Sequence, residues 1–179
     1  MTIKVLEKTE GCFPIVFKQG DWIDLFTAED IHLKAPQANK MHIRSTGKNP
    51  SQELRTRDVD FDFQMIPLGV AMQLPKGMEG HILPRSSTFK KYGLLLVNSQ
   101  GIVDNLYCGD DDEWKFPAIA TKTVTIPKGT RIAQFRIQLS QKATVWQKIK
   151  WLFSSSVTLK KVDSLGNKNR EGFGSTGTN

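Results

Sequence analysis

Cysteine is nearly absent: only Cys12 and Cys108 occur, far apart and without a C-x-x-C pair. A disulfide-stapled scaffold is thereby excluded, and a reducing compartment is the expectation. Long apolar runs are missing as well. No stretch approaches the roughly 20 apolar residues of a membrane span, and residues 1–11 lack the apolar run of a secretory signal. A cytoplasmic protein with no membrane partner is expected. Histidine is scarce, and His32, His42 and His81 show no ligand spacing, so no histidine metal centre is predicted. The Walker pattern G-x-x-x-x-G-K-[ST] is also absent.

What is present suits one domain with a real core, since 39% of the 179 residues are hydrophobic and spread along the chain. The net charge of +7 favours an anionic partner without naming it. A single-stranded nucleic-acid binder would need surface aromatics along a basic groove. Trp22, Trp114, Trp146 and Trp151 offer no strand-spaced platform, so no nucleic-acid partner is expected.

Short apolar runs bounded by Pro and Gly recur: Ile66-Pro67-Leu68-Gly69, Leu74-Pro75-Lys76-Gly77 and Ile126-Pro127-Lys128-Gly129. Period-two alternation shows from Val59 to Met65 and from Arg131 to Leu139. An all-β sandwich, jelly roll or barrel is predicted. Two segments break the rhythm. The basic stretch 36–57, with Lys40, His42, Arg44, Lys48, Arg55 and Arg57, reads as a long loop or protruding hairpin. Residues 144–153 place Val145, Ile149, Leu152 and Phe153 on one helical face, with Trp151 off it, and predict a short inserted amphipathic helix. The Gly-, Ser-, Thr- and Asn-rich tail from Gly166 to Asn179 is expected to be flexible on its own.

Four segments carry chemistry. Pro84-Arg85-Ser86-Ser87-Thr88 can offer a guanidinium fork, hydroxyls and backbone N–H groups to phosphate oxygens. Read alone, it serves equally well as a turn whose hydroxyls satisfy their own backbone. From Asn98 to Gly109 a hairpin is predicted, with Asp104 among apolar neighbours. Such a carboxylate can act as general base on water, or it can merely satisfy turn amides. The hairpin backbone can also face a flat base edge. In the tail, Gly172-Phe173-Gly174-Ser175-Thr176-Gly177 can wrap a phosphate, with Phe173 stacking as a lid. The run Asp110-Asp111-Asp112-Glu113 is predicted to be a solvated turn, because adjacent carboxylates on an extended chain point to opposite faces and converge poorly on a metal.

In this order the segments resemble the five motifs of the homotrimeric all-β dUTPases. Gly20 to Asp30 looks like the first and Pro84-Arg85-Ser86-Ser87 the second. Gly101-Ile102-Val103-Asp104 through Tyr107 and Gly109 looks like the third. Lys128 to Gln134 looks like the fourth and Gly172 to Gly177 the fifth. The wording of Asp21-Trp22-Ile23-Asp24, Pro84 to Thr88 and Gly109 to Trp114 is most similar to the dUTPases of Gram-positive bacteria and their phages.

The resemblance implies a distorted jelly-roll or β-barrel domain over residues 1–162 and a flexible lid over 163–179. It implies hydrolysis of dUTP to dUMP and pyrophosphate with Mg, in a homotrimer whose sites are shared between subunits. Carried over, Asp104 is the base that activates the attacking water, and Gln134 touches that water or the α-phosphate. Arg85, Ser86 and Ser87 hold phosphates. Tyr107 packs on the deoxyribose and excludes a 2′-hydroxyl. Asn98 and the backbone at Gly101 and Val103 read uracil. Asp24 places Mg through water. Phe173 and Gly174 cover the base, with Ser175 and Thr176 on the γ-phosphate.

The sequence departs from the family where an Arg is usual five positions before the lid Phe; Lys168 stands there, and Arg170 lies two residues on. Either can serve the γ-phosphate, and the bidentate grip of a guanidinium favours Arg170. Asp21-Trp22-Ile23 and Ser87-Thr88 also differ from the usual wording. Two other readings remain. One is a dCTP deaminase-type enzyme, which lacks support because no Pro-Gly follows Asp104. The other is a regulatory protein of this fold that binds a protein partner through segments 36–57 or 144–153.

Overall fold

The computed structural model describes residues 1–17, 20–45, 53–154, 156–170 and 172. In chain order the strands begin with β1 Thr2–Glu7, β2 Ile15–Val16, β3 Ile23–Phe26, β4 Ile31–Leu33, β5 Gln37–Ser45 and β6 Glu53–Asp60. They continue with β7 Phe63–Gln73, β8 Met78–Pro84, helix α1 Thr88–Tyr92, β9 Leu94–Leu96, β10 Gly101–Val103 and β11 Glu113–Ala120. The chain then forms β12 Val124–Ile126, β13 Arg131–Leu139, helix α2 Val145–Leu152 and β14 Thr158–Val162. The expected all-β class holds. One sheet has the order β14-β1-β7-β11-β9 and the other β10-β8-β13-β3-β2, with β12-β4 and β5-β6 as two-strand ribbons. Both large sheets have open edges, so the described strands form a jelly-roll-like arrangement and not a closed barrel.

One core joins the sheets. Ile3, Val5, Leu68, Val70, Met72 and Phe116 from the first meet Ile23, Leu25, Ile82, Phe135 and Ile137 from the second, all buried. Trp114 presents its edge to Phe135 with centroids 5.0 Å apart and the planes at 73°, the geometry that the ring quadrupoles favour. Strand β13 realises the alternation read from Arg131 to Leu139, its even-spaced Ala133, Phe135 and Ile137 facing the core.

Other local readings gave way to long-range pairing. The alternation from Val59 to Met65 spans the break between β6 and β7, and Val59, Phe61 and Phe63 are exposed. Ile66-Pro67-Leu68-Gly69 is not a strand end: it lies inside β7, where Gly69 adopts φ +69° and its carbonyl accepts from both Lys8 N and Thr9 N. The 36–57 segment is the β5–β6 ribbon, and its tip lies outside the described residues. Helix α1 was not anticipated. Gly93, at φ +65° and donating to Phe89 O, ends it after Lys90 and Lys91, a stop signal that was legible.

Helix α2 is present where expected, started by a capping box in which Gln147 N donates to Thr144 Oγ1 and Thr144 N donates to Gln147 Oε1. Its packed face is a correction. Trp151 leans on the core and Gln147 lies over Gly77, whereas Trp146, Leu152 and Phe153 are 79%, 77% and 81% exposed. Gly77 allows this approach, since an added Cβ would fall 2.5 Å from Gln147 Oε1.

Gly80, in the middle of β8, is a position where the core has no room for a side chain. A Cβ there would sit 2.7 Å from Trp114 Cη2, inside a ring already wedged against Phe135. Gly80→Ala is expected to lower unfolding stability by roughly 1–3 kcal/mol through overpacking. Urea titration followed by tryptophan fluorescence measures it, and an unchanged midpoint would contradict this account of the core.

Candidate active site

Two groups of candidate residues form at opposite ends of β8. At the C-terminal end, β8 pairs with β13 and β13 with β3, so Gln134 lies opposite both Leu83 and Asp24. Arg85 follows directly. Asp24 is buried and its carboxylate bridges two cations: Oδ1 accepts from Arg85 Nε at 3.1 Å and Oδ2 from Arg131 Nη1 at 3.2 Å. A carboxylate removed from water needs such partners. The two guanidiniums, one charge in excess of Asp24, stay partly exposed, and Arg131 also lies 5.3 Å from the Phe17 ring centroid. Gln134 Nε2 donates to Pro84 O at 3.3 Å. Arg131 was not singled out from sequence. Its signal was its place three residues before Gln134, at the start of the same alternating strand.

The Pro84–Thr88 segment is the entry to α1. Thr88 Oγ1 donates to Ile132 O at 2.7 Å, and Arg85 N donates to the same carbonyl. Ser86 is exposed and the Ser87 side chain makes no capping hydrogen bond. Thr88 is thus spent on structure, while the two serine hydroxyls stay available beside Arg85.

The predicted hairpin from Asn98 to Gly109 is corrected. A single strand, β10, runs between two turns and pairs with β8, with Gly101 opposite Ile82 and Val103 opposite Gly80. Asn98 is therefore at the Arg85 end of β8 and Asp104 at the other. The first turn is held at Ser99, which takes φ +59°, and by Gln100, whose side-chain amide donates to His81 Nδ1. His81 in turn donates from Nε2 to Glu79 Oε1 at 2.8 Å. On the outer side β10 is an edge strand, with Ile102 exposed.

At the second turn Asp104 Oδ1 accepts from Leu106 N at 2.7 Å, and Arg170 Nη1 donates to Oδ2. Burial pushes the Asp104 carboxyl up, but the hydrogen bonds from Arg170 and the Leu106 and Tyr107 amides outweigh it and hold it below the ordinary carboxylate range. Tyr107 donates its hydroxyl to Glu113 O at 3.0 Å, and Gly172 lies against its ring, where a Cβ would come 2.8 Å from Cε2. Burial, with the charges of Asp112 and Glu113, pushes the Tyr107 phenol up to about 12, so it stays protonated. Lys168 is exposed. Phe173, Gly174, Ser175 and Thr176 lie outside the described residues.

One chain does not bring the two groups together. Val103 is opposite Gly80, five residues short of Arg85, which at the strand rise is roughly 16 Å. Among the described residues no three His, Cys, Asp or Glu side chains converge as metal ligands, and no helix is long and apolar enough to cross a membrane.

The dUTPase family model matches residues 58–177. The SPbeta prophage-derived deoxyuridine 5′-triphosphate nucleotidohydrolase of Bacillus subtilis is 40% identical over 176 residues, covering 98% of this chain and 96% of that one. The deoxyuridine 5′-triphosphate nucleotidohydrolase of Neorickettsia sennetsu is 34% identical over 65% of this chain and 69% of its own. Among solved structures, the dUTPase of Streptococcus mutans superimposes with a TM-score of 0.59 at 18% identity, over 80% of this chain and 99% of that one. A mutant dUTPase of Staphylococcus aureus phage phi11 gives 0.56 at 17% identity, over 80% and 94%. These two share the fold, and the family model with the Bacillus relative shows the family: the chain belongs to the dUTPases, the deoxyuridine 5′-triphosphate nucleotidohydrolases.

Proposed function

We propose that the chain hydrolyses dUTP to dUMP and pyrophosphate by attack of water on the α-phosphorus, with Asp104 as the general base. The observation that carries this reading is the division of candidate groups along β8: cations and hydroxyls at one end, a carboxylate beside a sugar-sized aromatic at the other. Arg85, Ser86 and Ser87, with Arg131 beside them, hold the triphosphate, and Gln134 lies next to the α-phosphate or its water. Asp104 takes a proton from water as the new P–O bond forms, and pyrophosphate leaves with the electrons of the broken bond. Tyr107, fixed by its hydrogen bond to Glu113, closes the space a 2′-hydroxyl would need. The free edge of β10 at Gly101 to Val103, with Asn98 in the turn before it, offers backbone donors and acceptors of the kind a uracil edge requires. Phe173 and Gly174 keep the base-covering role, and Ser175 and Thr176 the γ-phosphate role, that the resemblance implies.

The backbone positions that carry the two groups lie roughly 16 Å apart along β8, and a general base must come within hydrogen-bond reach of its water. The site is therefore composite, one copy supplying the Arg85 end and another the Asp104 end, which supports a homotrimer with shared sites. For the γ-phosphate, Arg170 is favoured over Lys168, because it already sits in the Asp104 cluster. On this reading the triphosphate draws Arg170 off Asp104 and leaves the carboxylate a stronger base.

From the sequence, Asp24 places Mg through water, and both of its oxygens also accept from guanidiniums. The phage phi11 dUTPase is described with a structural Mg(II) ion. Here Mg is assigned to the substrate, as the ion a triphosphate carries in water, and no step above depends on it.

Asp104→Asn should retain dUTP binding while kcat falls on the order of 10²–10⁴-fold. Near-normal turnover in that variant would remove Asp104 from the mechanism. The pH dependence has a definite sign. Because Asp104 ionises at lower pH than an ordinary carboxyl, the acidic limb of kcat/KM should lie low, and Arg170→Ala should move it to higher pH. A limb that stays in place would show that Arg170 does not govern this carboxylate.

A further inference from the structure

The run Asp110-Asp111-Asp112, read from sequence as a solvated turn, is where the tail is attached. Asp110 Oδ1 accepts from Leu165 N at 2.7 Å and Oδ2 from the Ser164 hydroxyl at 2.8 Å. Asp111 Oδ2 accepts from Asn169 Nδ2 at 2.7 Å, and Asp111 N donates to Asn169 Oδ1 at 3.0 Å. Asp112, only 2% exposed, accepts from Arg170 N with both oxygens, at 2.9 and 3.0 Å, and from Gly109 N at 2.8 Å. The Cys108 carbonyl takes Asn167 Nδ2 at 3.2 Å. Gly109 is required for this fit, since a Cβ there would fall 2.2 Å from Asn169 Oδ1. Successive aspartates engage successively later parts of the tail, so the two segments run side by side.

We propose that Asp110–Asp112 is a clasp for the tail and that Asp112 is a positioning residue for turnover. It touches neither substrate nor reacting water. By holding the Arg170 backbone N–H and the Gly109 N–H on one buried carboxylate, it ties the tail to the loop that carries Asp104 and Tyr107. The Arg170 guanidinium is thereby set on the Asp104 carboxylate. A carboxylate with so little water needs these donors, and the tail supplies one of them. This inference rests on the roles given above to Asp104 and Arg170.

A double-mutant cycle tests it. Asp112→Asn should reduce kcat/KM for dUTP by about tenfold or more through misplacement of Arg170. The same substitution made in Arg170→Ala should add nothing, because the group it positions is gone. A full additional loss in the Arg170→Ala background would assign Asp112 to the fold alone and overturn the proposal. Limited trypsin digestion at Lys168 provides a readout independent of turnover. The tail should be protected in the parent protein and cut faster in Asp112→Asn, and equal protection in both would remove the clasp. If Arg170→Ala turned over dUTP normally, the γ-phosphate role of Arg170 would fail, and the digestion would still decide whether the clasp exists. Should Asp112→Asn not fold, the combined Asp110→Ala and Asp111→Ala variant opens the outer half of the clasp, and faster cutting at Lys168 is again expected.

Discussion

Strand β8 is held between β13 and β10, and that pairing decides where Asp24, Arg85, Asn98, Asp104 and Gln134 go. Antiparallel ladders allow no half-measures in register: a shift of one residue turns each side chain to the other face. With Gln134 fixed opposite Leu83 and Asp24, the two arginines and the glutamine gather at one end. With Val103 fixed opposite Gly80, Asp104 is sent to the other. Gly80 anchors the middle by admitting the Trp114 ring, so the core and the site depend on the same few residues of one strand.

The two carboxylate–guanidinium arrangements differ in burial, and the difference assigns them different jobs. Asp104 and Arg170 are 46% and 40% exposed, where an ion pair contributes ~0–1 kcal/mol. A triphosphate can displace that contact at little cost. The Asp24 side chain is only 6% exposed, and it faces two guanidiniums. Removing one partner from a fully buried pair costs about 3–5 kcal/mol, less here because both arginines reach solvent. In the proposed mechanism Arg85 and Arg131 therefore stay in place for the phosphates, and Arg170 is the cation that moves. The proposed clasp reconciles this mobility with placement, since it fixes the Arg170 backbone and leaves its side chain on a contact that a triphosphate can displace.

Much of this was legible in the sequence, and the failures share a cause. The strand at Arg131–Leu139, the turns at Gly77 and Gly129 and the helix near 144–153 are set by local periodicity and by glycine in left-handed turns, and each is where it was expected. The ordered motifs identified the family from residue types alone. What failed depended on partners far along the chain. Asn98 to Gly109 looked like a hairpin because glycines flank it, but β8 offered a better ladder. The aspartate run looked solvated because its partners lie more than fifty residues on, in a tail without regular structure. The helix face was inverted because hydrophobicity cannot show which side a β-sheet will meet, and Gly77 receives Gln147 where no periodicity marks it.

If no single chain holds a complete site, subunit complementation reveals it most directly. Asp104→Asn and Arg85→Ala chains, each inactive alone, would be dissociated, mixed and reassembled, and dUTP turnover measured. With sites shared between copies, random mixing leaves roughly a quarter of the sites with both native halves, and activity should return to about that fraction. A mixture as inactive as its components would mean that each chain completes its own site, and the division of labour along β8 would be wrong.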